Sequence, residues 1–148
     1  SRGFIDYTLD AETETTITQQ ATDKNDEDAY VRVAGSTTEL GSARFAHADN
    51  EATYLGERSR VLALNAVLSA GTGTSDVAAA SWFVNGSQVP GTATRVQMNQ
   101  QGGGIAKTMV SLGVDAEINT NDTFDVRVAN LGSTTNITIG ELNAKLTT

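Results

Sequence analysis

The amino-acid sequence predicts an all-β protein, an antiparallel β-sandwich of short strands, on three observations. Fourteen glycines and abundant threonine stand against a single proline, Pro90, a mixture that favours strands and turns over helices. Apolar and polar residues alternate in several segments, the period of a half-buried strand. Turn signals recur about every eight to twelve residues, as in sandwiches and barrels. At 148 residues the chain is the size of a single core, and no repeat or linker divides it, so residues 1–148 are expected to form one domain.

Residues 3–9 place Ile5, Tyr7 and Leu9 on one face and Asp6 and Thr8 on the other, predicting a first strand. Residues 12–20, ETETTITQQ, are rich in β-branched threonine but offer only Ile17 to bury, so they read as an edge strand or an exposed arm. The polar run TDKNDED at 22–28 reads as a loop, and Tyr30, Val31 and Val33 restore strand character over 29–34. Residues 35–41 read as a small-residue connection, followed by short, weak segments at 44–50 and 53–55. The run RVLALNAVLS at 60–69 is almost continuously apolar. Ten residues bounded by Gly56 and the tract AGTGTSD suit a sandwich-core strand better than a helix. A strand at 77–84 ends on Asn85-Gly86, a pair that tolerates positive φ and signals a tight hairpin. Its return starts at 87–89, and residues 92–99 alternate around Val96 and Met98. The loop NQQGGG at 99–104 leads into a strand at 105–112. After a turn containing Asn119, Asn121 and Asp122, the strand TFDVRVAN points Phe124, Val126 and Val128 one way, and 136–146 is the last strand.

Eighteen acidic residues against ten basic ones give a net charge of -8. That balance opposes binding to nucleic-acid phosphates or anionic membranes, which needs clustered Lys and Arg. No apolar run reaches the roughly 18 to 20 residues that span a bilayer, and residues 1–10 lack the layout of an export signal, so the sequence reads as a soluble protein. Without cysteine there is neither a disulfide framework nor a thiolate metal site.

No acid, base and nucleophile set can be nominated, so an enzyme is disfavoured. His47 is the sole histidine and has no sequence partner for a general-base role; it reads as a surface or loop residue. The three glycines at 102–104 lack the context of a phosphate cradle, and no nucleophile elbow is present. The oxygen-rich stretch 23–28 lacks the glycine and distal Glu of a helix-loop-helix calcium site and reads as a solvated acidic loop. No metal or cofactor is expected. Asn85, Asn121 and Asn136 fit the glycosylation acceptor pattern, at about the number chance supplies in so Ser- and Thr-rich a chain. Trp82 and Phe83 are adjacent and so point to opposite faces of a strand. One is expected in the core, and the other either packs within the protomer or meets a neighbouring subunit or ligand.

From Arg60 onward the segments run VLALNAVLS, a Gly-rich loop, ASWFVNGSQV, IAKTMVSL, TNDTFDVRVAN and ITIGELNAKL. With the aromatic-apolar-Asn-Gly run at 83–86 and the Asn121-Asp122 turn before alternating valines, this stretch of about 90 residues resembles the jelly-roll heads of the tumour necrosis factor and complement globular-head superfamily. It has Asn121 where that superfamily usually has Gly, and it lacks the closing Phe-x-Gly motif and several aromatics of the animal proteins. The resemblance implies an antiparallel jelly-roll β-sandwich assembled as a homotrimer, one sheet of each protomer packed around a threefold axis, with Tyr54, Trp82 and Phe124 as interface candidates. Scarce aromatics point the same way, because burial in an oligomer supplements a thin core.

Similar heads serve tailed viruses on capsid decoration proteins and on tail-fibre tips. The resemblance therefore implies a structural protein of the outer capsid surface of a virion, a decoration or cement protein whose partners are itself and the major capsid protein. In that scheme residues 1–20, with Phe4, Ile5, Tyr7 and Ile17, form an arm that contacts the shell by adding a strand to a neighbouring edge. The alternative it implies is a receptor-binding head of a phage tail fibre or spike, whose loops at 70–76 and 99–104 recognise glycan or protein.

Overall fold

A computed structural model describes residues 2–98, 100–101, 104–105 and 107–148. Its strands are β1 (Phe4–Leu9), β2 (Thr13–Thr15), β3 (Val31–Arg32), β4 (Thr37–Ala43), β5 (Phe45–His47), β6 (Ala52–Tyr54), β7 (Arg60–Gly71) and β8 (Val77–Val84). They continue as β9 (Ser87–Gln88), β10 (Thr94–Gln97), β11 (Gln100–Gln101), β12 (Gly104–Ile105), β13 (Thr108–Ile118), β14 (Thr123–Asn130) and β15 (Ile137–Thr147). One 3-10 turn, Glu27–Ala29, is the sole helical element among the described residues. Sheet A runs β13-β7-β15-β1-β4, with β2 also paired to β15. Sheet B runs β10-β8-β14-β6-β5, with β3 on β14 and β9 on β8. All these pairings are antiparallel, β11 and β12 form a separate two-stranded sheet, and the chain crosses between sheets A and B at β6–β7, β7–β8, β13–β14 and β14–β15, the wiring of a jelly roll.

Strand β7 shows how the sequence chooses this arrangement. Leu62, Leu64, Ala66 and Leu68 alternate inward and are buried, while Val61, Asn65 and Val67 turn outward and are exposed. The strand pairs along its whole length with β13 and, past a bulge at Gly140, with β15. In β8, Ala78, Ala80 and Trp82 enter the space between the sheets. The Asn85-Gly86 hairpin forms as expected, with φ of 52° and 79°, a left-handed pair that matches the twist of the flanking strands. Aromatic rings fill the middle of the sandwich, with Phe45 5.4 Å from Tyr54 and 6.4 Å from Phe124.

Three expectations need correction. Residues 35–41 are not a connection, because β4 pairs with β1 through Thr37, Thr38 and Glu39 and then through Gly41, Ser42 and Ala43. An edge strand built from small polar residues carries no apolar stripe, so periodicity does not reveal it. Residues 2–20 are not a free arm, and residue 1 lies outside the described residues. Strand β1 lies between β15 and β4, and Ile5, Tyr7 and Ile17 are buried in the same core as β7. Of the proposed arm residues only Phe4 is exposed. The proposed interface side chains Tyr54, Trp82 and Phe124 are likewise buried inside the protomer, at 2%, 0% and 0% exposure. A side chain with no free surface in the protomer has none to offer a neighbour. The loop expected at 99–104 includes residues 99, 102 and 103, which lie outside the described residues.

Candidate functional site: the bare outer face of sheet A

The two sheets differ in what covers their outer faces. Over sheet B the chain supplies its own cover, the connection between β2 and β3. There Ala21, Ala29 and Tyr30 pack on Ala79, Phe83 and Ala129. The Tyr30 ring lies 5.3 Å from Phe83, and the Arg127 guanidinium stands 4.7 Å over that ring. The Tyr30 hydroxyl donates to the Lys24 carbonyl at 2.6 Å, and the Gln88 amide donates to the same oxygen at 3.0 Å. Asp125, almost fully buried, accepts from Arg32 Nε at 2.7 Å and from Arg127 Nε at 2.9 Å. Phe83 therefore packs within the protomer. The acidic loop caps its own turns, with Asp26 accepting from the Thr22 amide and Asp23 from the Asn25 amide. No metal-ligating cluster occurs among the described residues.

Over sheet A the described residues supply cover only at one end, where Lys107 lies over Gly140 and pairs with Glu12 at 2.8 Å. Six large apolar side chains are exposed among the described residues, and five of them, Phe4, Leu40, Val61, Val67 and Met109, belong to sheet A. Leu40 is 68% and Val61 63% exposed. Strand register sets the face: Val67 lies opposite Ser111 on β13 and Asn143 on β15, while Asn65 lies opposite Gly113 and Lys145. Lys145 in turn faces Asp6 on β1. Small residues keep the middle low, and a Cβ on Gly113 would already stand 3.1 Å from Asn65 Oδ1. The result is an open groove of about 550 Å³ running from Asp6 and Leu40 across Asn65 and Val67 to Ser111 and Gly113. Apolar side chains gathered on one sheet, around a low centre with charges of both signs, form a surface suited to another protein surface.

The remaining sequence candidates have structural roles. His47 Nε2 is 2.6 Å from the Thr37 hydroxyl, and its ring packs 4.9 Å from Tyr7. The 70–76 loop is tied to the β14–β15 connection through Asp76. That carboxylate accepts from Thr74 Oγ1 at 2.6 Å, Ser133 Oγ at 2.9 Å and Asn130 Nδ2 at 3.3 Å. Burial pushes Asp76 up, but these three donors outweigh it and hold the carboxyl below its ordinary value.

Tyr7 donates to Asn50 Oδ1 at 2.9 Å, and Asn50 donates onward to the Val126 carbonyl at 3.0 Å. Burial, followed by the charge of Asp125, raises the Tyr7 phenol far above its ordinary value of 10.0. A group whose folded pKa is raised stabilises the fold fully below the unfolded value and loses that contribution as pH climbs past it. The urea midpoint should thus fall steadily above about pH 10. Tyr7→Phe should cost about 1–2 kcal/mol at neutral pH by taking the donor from Asn50, yet lessen the alkaline fall, the rest of which comes from the Tyr30 phenol that burial also raises. An equally steep fall in the variant would show that Tyr7 does not set it.

No protein-family model matches the chain, and no curated protein matches it. Solved structures do. Murine APRIL superposes with a TM-score of 0.59 at 6% identity, over 98% of this chain and 98% of that one. The fold is a tumour necrosis factor-like jelly roll. PRD1 vertex protein P5 aligns with a TM-score of 0.49 at 9% identity, over 97% of this chain and 96% of that one. A family 35 carbohydrate-binding module from Clostridium thermocellum gives 0.39 at 15% identity, over 97% of each. In this jelly roll, sheet A carries five of the six large apolar side chains exposed among the described residues.

Proposed function

We propose that this jelly roll is a non-catalytic structural protein that assembles as a homotrimer through the outer face of sheet A. As a trimer it decorates the outer capsid surface of a virion and holds the major capsid protein. The observation that carries the trimer is the contrast between faces: sheet B is covered by the protomer's own Tyr30 segment, while sheet A concentrates five of the six exposed large apolar side chains. A second copy supplies the missing cover, and packing one sheet per protomer around a threefold axis closes the assembly without leaving a sticky face. The virion location is supported by the resemblance of the strands from Arg60 onward to heads that tailed viruses mount on capsids and fibre tips. On a shell, three contacts per trimer act as one strong attachment, so each contact can be weak.

Light scattering coupled to size exclusion tests the first step, with an expected mass three times the 15.5 kDa protomer. Mixing the trimer with capsid shells stripped of surface proteins tests the second. Sedimentation with the shells in many copies is expected, together with a raised shell melting temperature. A monomer at all concentrations would remove the trimer. A trimer that ignores shells but binds host cells would replace decoration with a receptor-binding head.

A further inference from the structure

The end of the sandwich opposite the 70–76 loop holds a second concavity, a cleft of about 310 Å³ lined by Arg44, Tyr54, Gly56, Glu57, Arg58 and Arg60. Arg58 and Arg60 against the one lining carboxylate, Glu57, make it positive, in a chain whose net charge is -8. Arg32 and Arg127 both bind Asp125 within the protomer. Arg58 and Arg60 make no ion pair among the described residues.

The frame of the cleft is fixed before any ligand arrives. The Tyr54 hydroxyl donates to the Arg58 carbonyl at 3.0 Å, Ser59 Oγ donates to the Ile118 carbonyl at 3.0 Å, and the Thr120 hydroxyl donates to the Gly56 carbonyl. Glycine is required at 56, because a Cβ there would fall 1.9 Å from the Tyr54 hydroxyl oxygen. Across the cleft the Leu55 amide donates to the Arg44 carbonyl at 2.7 Å, and Arg44 itself sits at φ 64°, a left-handed conformation that arginine seldom occupies. A pinned turn thus presents Arg58 and Arg60 on one side, with Arg44 held opposite in an unfavourable backbone state.

We propose that this cleft binds an acidic peptide segment of a partner protein. Guanidinium forks match carboxylates in a bidentate geometry, and Arg58 and Arg60, each able to take one, suit a segment that brings two carboxylates. The exposed Leu55 beside the cleft adds an apolar contact for the peptide. A sugar would want an aromatic face to stack on, and the one ring in the lining, Tyr54, is buried. None of the lining side chains belongs to the outward row of sheet A, so the site does not depend on the trimer.

Titration of the full chain with blocked tetraglutamate, at constant ionic strength and followed by the arginine Nε–Hε signals in NMR, tests this. Saturable movement of the Arg58 and Arg60 signals is expected. Arg58→Ala and Arg60→Ala should each weaken binding about fivefold, while Arg95→Ala, outside the cleft, should not. Absence of a saturable shift with the unaltered chain would overturn the site whatever the variants do. Equal affinity for glucuronate or inorganic phosphate would overturn the peptide assignment in favour of a small-anion site. Equal loss with Arg95→Ala would reduce it to general charge attraction. All three readings are independent of oligomeric mass.

Discussion

Val67→Asp should convert the proposed trimer into a folded monomer, lowering the scattering mass to one third. Val67 is 38% exposed and stands between Ser111 and Asn143 in the middle of the bare face. In the separated protomer the new carboxylate reaches water at little cost. In the trimer the symmetry repeats it three times in a desolvated contact whose one lining cation, Lys145, already faces Asp6. An unpaired buried charge costs several kcal/mol, so assembly should weaken by about a thousandfold or more. The matched control is Leu55→Asp, which places the same charge on the exposed large apolar residue that lies outside sheet A. It should leave the mass unchanged. A Val67→Asp protein that still runs at three times the protomer mass would place the contact elsewhere.

Strands β1, β14 and β15 were legible because a half-buried pleat writes its burial into the sequence with period two, and β7 and β8 because a short apolar run bounded by turn signals marks a core strand. Strand β4 was not, since its one large apolar residue, Leu40, points outward and Thr, Glu, Gly and Ser around it make no apolar stripe. The error over the interface has a related cause. Alternation separates two faces of a strand but does not label which one turns inward, and large aromatics such as Trp82 and Phe124 are as welcome in a core as in a contact. A better signal was present in β7, where Leu62, Leu64 and Leu68 form one apolar row and Val61 and Val67 occupy the opposite one. A strand apolar on both faces in a two-layer fold needs cover on both, and only one side can be the core. The arginine cleft left no readable trace, because Arg44 and the turn carrying Arg58 and Arg60 meet only through β6 and its pairing with β5.

The largest effect on folding itself is expected at Trp82. The side chain is completely buried between the sheets, and β8 holds it in register with Val126 of β14. Trp82→Ala should cost about 3–5 kcal/mol, from lost transfer energy and from the cavity left where surrounding strands cannot collapse. Against a total of about 5–15 kcal/mol for a domain, that is enough to leave the protein marginal. Trp82→Phe should cost much less, about 1–2 kcal/mol. The indole N–H has no hydrogen-bond partner among the described residues, so phenylalanine loses volume without losing a bond. Both substitutions are best measured by urea unfolding on the Val67→Asp background, where mass action from assembly no longer contributes to apparent stability. A core role makes the alanine variant lose most of its stability there, in a protomer that has no neighbour. If Trp82 acted across a subunit contact instead, the same variant on the monomeric background would unfold at an unchanged midpoint, and the burial argument would fail with it.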